Sequence, residues 1–454
     1  MRTFKPRNNT GTSAVSGAGK GATQGAAPVE EGVVDAPALG GEQSAQRVRP
    51  SQDLLRDPIT AEVVLGVWSG DPAVTVPAPP GSGKTRLTVH LADLLADRAG
   101  LRVGIAAQTR AQATEIACRL AKISDRAMVG LLWKASGVRP DSGDCPIITG
   151  RQQIWPAGGG AVRVATSAKW LSSEPERLAA DVLIVDEAYQ CTYADLCALG
   201  AMTAGQVVLV GDSGQIAPVV TGDVSRWEDS PTGPHLPAPI ALAAAHGDAV
   251  TTIALRHTWR LGPVTTRLVS DVFYADMPFT SRRPAEHVSL DGVVLPELAH
   301  RVLTAPDGPT SSSVAAAAVD RVRTLLAGGA LTTGEGTRPL LEADVAVVVP
   351  HVSQAAAIRA MLADHPGVLC GTANALQGLE RAAVVAVHPM VGKRTADPFS
   401  IDAARLCVML SRHRCHLTVL VDAYTPTVWA DNPEDGVVAR SAGVMDRLLA
   451  TPAA

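Results

Sequence analysis

Ala78-Pro-Pro-Gly-Ser-Gly-Lys-Thr85 follows a short apolar run, Ala73 to Val76. Glycines at 81 and 83 permit a tight turn whose backbone N–H groups point inward, as a polyphosphate cradle requires. Lys84 is spaced to reach the outer phosphates, and Thr85 to put its hydroxyl on Mg²⁺. The periodicity predicts a helix from Arg86, with Leu87, Leu91, Leu94 and Leu95 on one face. Its N-terminus would add a positive dipole end beneath the phosphates. Pro80, Gly81, Ser82, Gly83, Lys84, Thr85 and Arg86 are therefore the candidate nucleotide contacts. Ala78 stands where the common pattern has its first glycine.

A carboxylate pair comes next. Asp186-Glu187 closes the apolar run Val182–Val185, which suits a strand buried on both faces. A carboxylate at the C-terminal end of such a strand lies beside the phosphate loop of a parallel sheet. Asp186 is thus the candidate Mg²⁺ ligand alongside Thr85. Glu187 is the candidate base that orients and deprotonates an attacking water. Val207–Val210 leads in the same way into Gly211-Asp212-Ser213-Gly214-Gln215-Ile216-Ala217-Pro218.

With that third string the chain resembles superfamily 1 helicases. Their third motif is typically Gly-Asp-x-x-Gln, followed by Leu/Ile-x-Pro in the branch of the nonsense-mediated-decay helicase. The resemblance implies that Gln215 senses the γ-phosphate. Further strings follow in the family's order. Ala106-Ala107-Gln108-Thr109-Arg110-Ala111 and Val164-Ala165-Thr166-Ser167 are similar to two strand-contact motifs. Leu255-Arg256-His257-Thr258-Trp259-Arg260 looks like the fourth motif, whose Arg reaches the γ-phosphate. Val349-Pro350-His351-Val352-Ser353-Gln354 resembles the strand-turn opening a second domain's sheet. Gly371 to Glu380 is similar to the fifth motif, which adds Thr372 as a strand contact and Gly378 and Glu380 as nucleotide contacts. Arg405 to Arg412 looks like the sixth, whose last Arg acts as an arginine finger; Cys407 and Ser411 stand where Asn and Thr are common. Family members often read adenine with an upstream Gln, for which Gln52 is the nearby candidate.

The resemblance implies a fold and a mechanism. The fold is α/β: two RecA-like P-loop NTPase domains with parallel sheets. Lys84, Thr85, Asp186, Glu187 and Gln215 would come from the first domain and Arg260 and Arg412 from the second. ATP and Mg²⁺ would sit between them. Closure would move Thr109 and Thr166 against Thr372 along a single nucleic-acid strand, with DNA weighed slightly above RNA and a 5′→3′ lean. Two activities stay open: a helicase or translocase, and a regulatory or remodelling ATPase that does not unwind. The short segment between residues 125 and 160, where many family members carry larger insertions, leans toward the second.

The elements that must position these groups are legible in outline. With 454 residues, 46% hydrophobic, the chain has room for two or three domains. Apolar runs at 73–77, 102–107, 162–166, 182–185, 207–210 and 251–255 alternate with helical patterns, the signature of a parallel sheet covered by helices. A second set, 345–349, 383–387 and 418–421, implies a second α/β domain. The expected layout is a disordered tail at 1–52, a first domain at 53–255, and a second at 256–454 with an irregular insertion at about 281–340. The tail is a candidate site for a protein partner.

Net charge is −4, which excludes a purely electrostatic nucleic-acid binder but not a motor that tracks phosphates in a cleft. Seven cysteines without Cys-x-x-Cys pairs argue against zinc ribbons and a disulfide framework. The absence of any apolar run long enough for a bilayer or a secretory signal points to a cytoplasmic protein with no membrane partner. Aromatics are only 3%, and Trp133, Trp155, Trp170 and Trp227 read as core or interdomain residues rather than base-stacking ones.

Overall fold

The computed structural model describes residues 57–124, 128–431 and 436–454. The expected tail and Gln52 lie outside the described residues. The described residues all fall within one unit, Arg49–Ala454. Helix α1 (Pro58–Trp68) is capped by Asp57, whose carboxylate accepts from the Thr60 amide at 3.1 Å. Strand β1 (Ala73–Pro77) runs into the phosphate loop, and α2 (Lys84–Ala99) leaves it. Next come β2 (Arg102–Ala107), α3 (Arg110–Ile123), β3 (Met128–Leu132), β4 (Ile147–Ile148), β5 (Ala161–Thr166), β6 (Ala180–Asp186), β7 (Thr203–Gly211) and β8 (Val250–Thr252). They form one parallel sheet in the order β4-β3-β5-β2-β6-β7-β1-β8.

The strands are apolar on both faces because both faces are covered. Val74, Val76, Val103, Ile105, Ile184 and Val208 pack with α1, α2 and α3. Leu183, Val185 and Leu209 pack on the opposite side with Trp155 and Trp170. Trp133, Trp155 and Trp170 are buried as expected, but Trp227 is exposed beneath the Arg226 guanidinium.

Beyond β8 lie the short strands β9 (His257–Thr258) and β10 (Thr280–Ser281), which pair with each other, and α4 (Pro263–Phe273) between them. Then follow β11 (His287–Leu290), β12 (Val293–Val294), β13 (Leu298–Leu303), α5 (Ser312–Gly328), β14 (Gly329–Thr333), β15 (Gly336–Pro339), β16 (Val345–Val349), α6 (Val352–Met361), β17 (Leu369–Thr372), β18 (Arg381–Val387), α7 (Ala403–Leu410), β19 (His413–Asp422) and α8 (Gly436–Leu449). A second parallel sheet has the order β13-β19-β18-β16-β17. Helices α5 and α6 cover one face of it, and α4, α7 and α8 the other.

The segment at 281–340 is not an irregular insertion. It supplies β13, an edge strand of the second sheet, and the long helix α5, whose Val314, Ala318, Val322 and Leu325 face the core. The rest includes the loop before α5 and the β14–β15 hairpin of a small antiparallel sheet, β12-β11-β14-β15. Ala-rich α5 buries small side chains, so its sequence lacks the bulky periodic residues that mark a helix.

The seven cysteines are all unpaired. No helix among the described residues is long and apolar enough to cross a membrane.

Candidate functional site

Strand register brings the chemistry together. Pro77 pairs with Gly211 across β1 and β7, and Val210 pairs with Asp186 across β7 and β6. Three loops therefore emerge side by side at the carboxyl edge: the phosphate loop, the Asp212 loop and Asp186-Glu187. Gly81 and Gly83 have φ of +70° and +88°, values that L side chains rarely adopt. An added Cβ on Gly81 would sit 2.3 Å from Arg260 Cβ; one on Gly83 would meet nothing within 4 Å. Gly81 thus lets a neighbouring segment dock, whereas Gly83 leaves the cradle open.

That neighbour is the stretch after β9. Thr258 donates to the Pro80 carbonyl at 2.7 Å, and the Trp259 amide donates to the Gly81 carbonyl at 2.9 Å. Arg260 is thereby set against the loop. Its Nε pairs with Glu380, and its Nη1 donates to the Ser411 carbonyl at 3.2 Å. Arg412 is buried next to it. Its guanidinium donates to the Val408 carbonyl at 3.0 Å, the Ser411 hydroxyl at 3.0 Å and the Leu379 carbonyl at 3.4 Å.

These groups line one cavity of about 810 Å³. From the first sheet come Gly81 through Arg86, Asp186, Glu187 and Gln215. From the second part come Arg260, Gly378, Glu380 and Arg412. Thr109 also borders the cavity. Pro80 does not; it is buried and serves through its carbonyl. Thr166 and Thr372 do not line it either. All three threonines cap a turn after a strand. Thr109 accepts from the Gln112 amide at 3.2 Å, Thr166 from Lys169 at 3.2 Å and Thr372 from Ala375 at 3.3 Å.

Burial sets the charge states. Asp186 is held up to about 7, first by burial and then by the adjacent Glu187 charge, while Lys84 and a 3.2 Å bond from Thr88 Oγ1 pull it back. Glu187 is raised too, by burial above all, with Lys84 opposing. Burial and the Arg260 charge lower Arg412 to about 10. Burial would raise Glu380, but Arg260 beside it outweighs that and holds it below the usual range.

The residues present fit a nucleotide with a divalent cation. Ser82 Oγ is buried in the loop without a hydrogen-bond partner, and the open glycine cradle suits phosphate oxygens. The crowded Asp186 and Glu187 want a cation, and Lys84, Arg260 and Arg412 want an anion. A Mg–nucleotide supplies both.

Residues 62–227, which hold the phosphate loop and both carboxylates, match a family model described as an AAA domain. That stretch is a P-loop ATPase domain. No curated protein matches the chain. Among solved structures it is similar to Arterivirus nonstructural protein 10 (helicase), at 16% identity over 86% of this chain and 64% of that one, with a TM-score of 0.44. A complex of the same viral protein with DNA gives 15% identity, 81% and 63% coverage, and a TM-score of 0.43. The chain spans less than two thirds of either relative's length.

Site residues that the sequence reading passed over lie around this P-loop ATPase centre. Asp212 receives Lys84 Nζ at 3.4 Å and Gln215 Nε2 at 2.5 Å. Gln377 Nε2 donates to Gln215 Oε1 at 3.0 Å. Asp212 is the Asp of Gly-Asp-x-x-Gln, and Gln377 lies within the stretch Gly371 to Glu380. Trp259 lines the cavity and is half exposed, at 50%; its signal was its place next to Arg260. Tyr274, whose hydroxyl donates to Asp212, had no local signal at all.

Proposed function

We propose that the chain is an ATP-dependent nucleic-acid helicase or translocase that hydrolyses ATP between two RecA-like domains, 53–255 and 256–454. The observation that carries the reading is one cavity bordered by the phosphate loop and by Arg260 and Arg412, which come from elements built around different sheets. Lys84 and the loop amides bind the phosphates. Thr85 and Asp186 would hold Mg²⁺, which would supply charge neutralisation on the bound phosphates. Glu187 takes a proton from the attacking water, and Gln215 reads the terminal phosphate. Arg260 and Arg412 stabilise the charge of the transferring group, an effect worth about 10³–10⁵ in rate for one arginine finger. Such a site is complete only when both parts are closed, so hydrolysis can drive relative motion.

The proposed strand contacts are Thr109, Thr166 and Thr372. They stand at the carboxyl ends of parallel strands, where capped turns present backbone N–H groups to phosphates. The proposed track is a single strand, with DNA ahead of RNA. The test is ATP hydrolysis without polymer, with single-stranded DNA and with single-stranded RNA, with Lys84→Ala as control. Stimulation by one polymer names the track. Hydrolysis that ignores both moves the remodelling ATPase into first place.

A further inference from the structure

Asp212 is buried at the end of β7 and takes four donors. Lys84 Nζ and Gln215 Nε2 reach Oδ2 at 3.4 and 2.5 Å. The Gly214 amide reaches Oδ1 at 3.1 Å, and the Tyr274 hydroxyl donates to the same oxygen. Tyr274 ends α4 and packs in the second core with Phe279, edge to face at 5.2 Å. Gly214 makes room for it, since an added Cβ would lie 2.4 Å from the phenol ring. The phosphate-loop lysine is thus tied, through one carboxylate, to an element of the other sheet's core.

We propose that Asp212 is the resting counterion of Lys84, and that Tyr274 is the positioning residue that lets Asp212 hand the lysine over to an incoming nucleoside triphosphate. The proposal rests on the nucleotide reading of the cavity. A phosphate must compete with Asp212 for the buried ammonium. The 3.4 Å separation from both Asp212 and the Pro79 carbonyl leaves Lys84 loosely held. Once Lys84 turns to phosphate, Asp212 is a buried anion that has lost its ion pair, which is costly unless other donors satisfy it. Tyr274, Gln215 and the Gly214 amide do so. Loss of the phenol hydroxyl makes Asp212 cling to Lys84. Loss of the Asp212 charge removes the competitor altogether. Phosphate occupancy at Lys84 is therefore felt at Tyr274 and, through Gln215, at Gln377.

The two partners of one hydrogen bond then have opposite effects, which mere structural damage would not produce. The probe is a fluorescent ADP analogue with Mg²⁺, titrated into the full chain. Tyr274→Phe weakens binding about tenfold, as expected for a hydrogen bond to a buried charge. Asp212→Asn, which keeps an acceptor for Tyr274 and Gly214, tightens binding at least about threefold by the same conversion. In the double variant the Phe substitution has no further effect, since no anion is left to satisfy. Weaker binding in both single variants, or no change in either, overturns the lock. A wild-type chain that does not bind the probe overturns the nucleotide reading itself, and the lock with it. Binding that survives Lys84→Ala at full strength overturns the lock alone.

Discussion

Arg260 pairs with Glu380 at a separation of 120 residues, and the same guanidinium donates to the carbonyl of Ser411, the neighbour of Arg412. The pair therefore aligns two cations side by side against the phosphate loop. Arg260→Ala is expected to lower ATP hydrolysis by roughly 10³ while Mg–nucleotide binding falls far less. Glu380→Gln keeps the side chain's length but frees the guanidinium, so its loss should be smaller, about tenfold, and should appear in kcat rather than KM. Steady-state kinetics on both variants decide it; an unchanged kcat in Arg260→Ala removes this arginine from the chemistry.

Gly81 is required twice over, by its φ of +70° and by the closeness of Arg260. An alanine there costs about 1–2 kcal/mol in the left-handed region alone, and its Cβ must also push the Trp259–Arg260 segment off the loop. Gly81→Ala should thus lower the unfolding midpoint and nearly abolish hydrolysis. Gly83→Ala meets open space and strains only its own backbone, so its thermal loss should be the smaller. Equal melting losses in the two variants would show that the docked segment contributes nothing.

The parallel sheets were legible because continuous Val, Ile and Leu runs can be buried on both faces in few other ways. The order of groups around the phosphate loop was legible too, since Lys84, Asp186, Glu187 and Gln215 each follow a strand. Two things were hidden. Helix α5 buries alanines and valines, so its period is faint, and the region around it read as irregular. Tyr274 reaches Asp212 only through tertiary packing of α4, which no local spacing records. Residues placed by a strand end can be read from sequence; residues placed by a crossing between cores cannot.

Trp259 lies beside the phosphate loop, with its ring edge-on to His257 at 5.6 Å and one side open to the cavity. A flat exposed ring next to a phosphate site suits stacking on a nucleobase, worth about 1–3 kcal/mol per base. Trp259→Ala should raise KM for ATP roughly tenfold or more with kcat little changed, and Trp259→Phe should recover most of the loss. A KM that does not respond to the alanine places the base elsewhere.

Buried histidines, His388, His413 and His416 among them, contribute to the acid limb of stability, each held low first by burial. Burial holds His388 down to about 3 and His416 to about 4, the latter helped by the Arg321 charge. His416 donates from Nδ1 to the Pro296 carbonyl at 2.7 Å, so Nε2 faces Arg321 as an acceptor and has no room for a proton. The folded pKa values lie below the unfolded value near 6.5. Their stability is therefore complete above pH 6.5 and is lost as pH falls, toward 4 for His416 and toward 3 for His388. At pH 5 each histidine subtracts about 2 kcal/mol. Denaturant titrations at pH 7 and pH 5 should show that loss, and His388→Leu should make the acid limb shallower. Identical limbs in the variant and the parent chain rule His388 out.

Glu187 is one of two non-glycine residues with positive φ among the described residues, at +53°, a conformation that stores about 1–3 kcal/mol. It is also buried against Asp186, and the two charges oppose one another. Neither strain nor repulsion helps the resting fold. Glu187→Gln removes the repulsion without changing the shape. It is expected to raise the thermal midpoint, to keep Mg–nucleotide binding and to cut hydrolysis by about 10²–10⁴, the usual contribution of a general base. Glu187→Gly relieves the strain as well, so it should melt higher than an alanine at the same position while remaining as inactive as the glutamine variant. Normal turnover by Glu187→Gln would assign the proton transfer to another group, and Asp186, held near neutrality, would be the next to test.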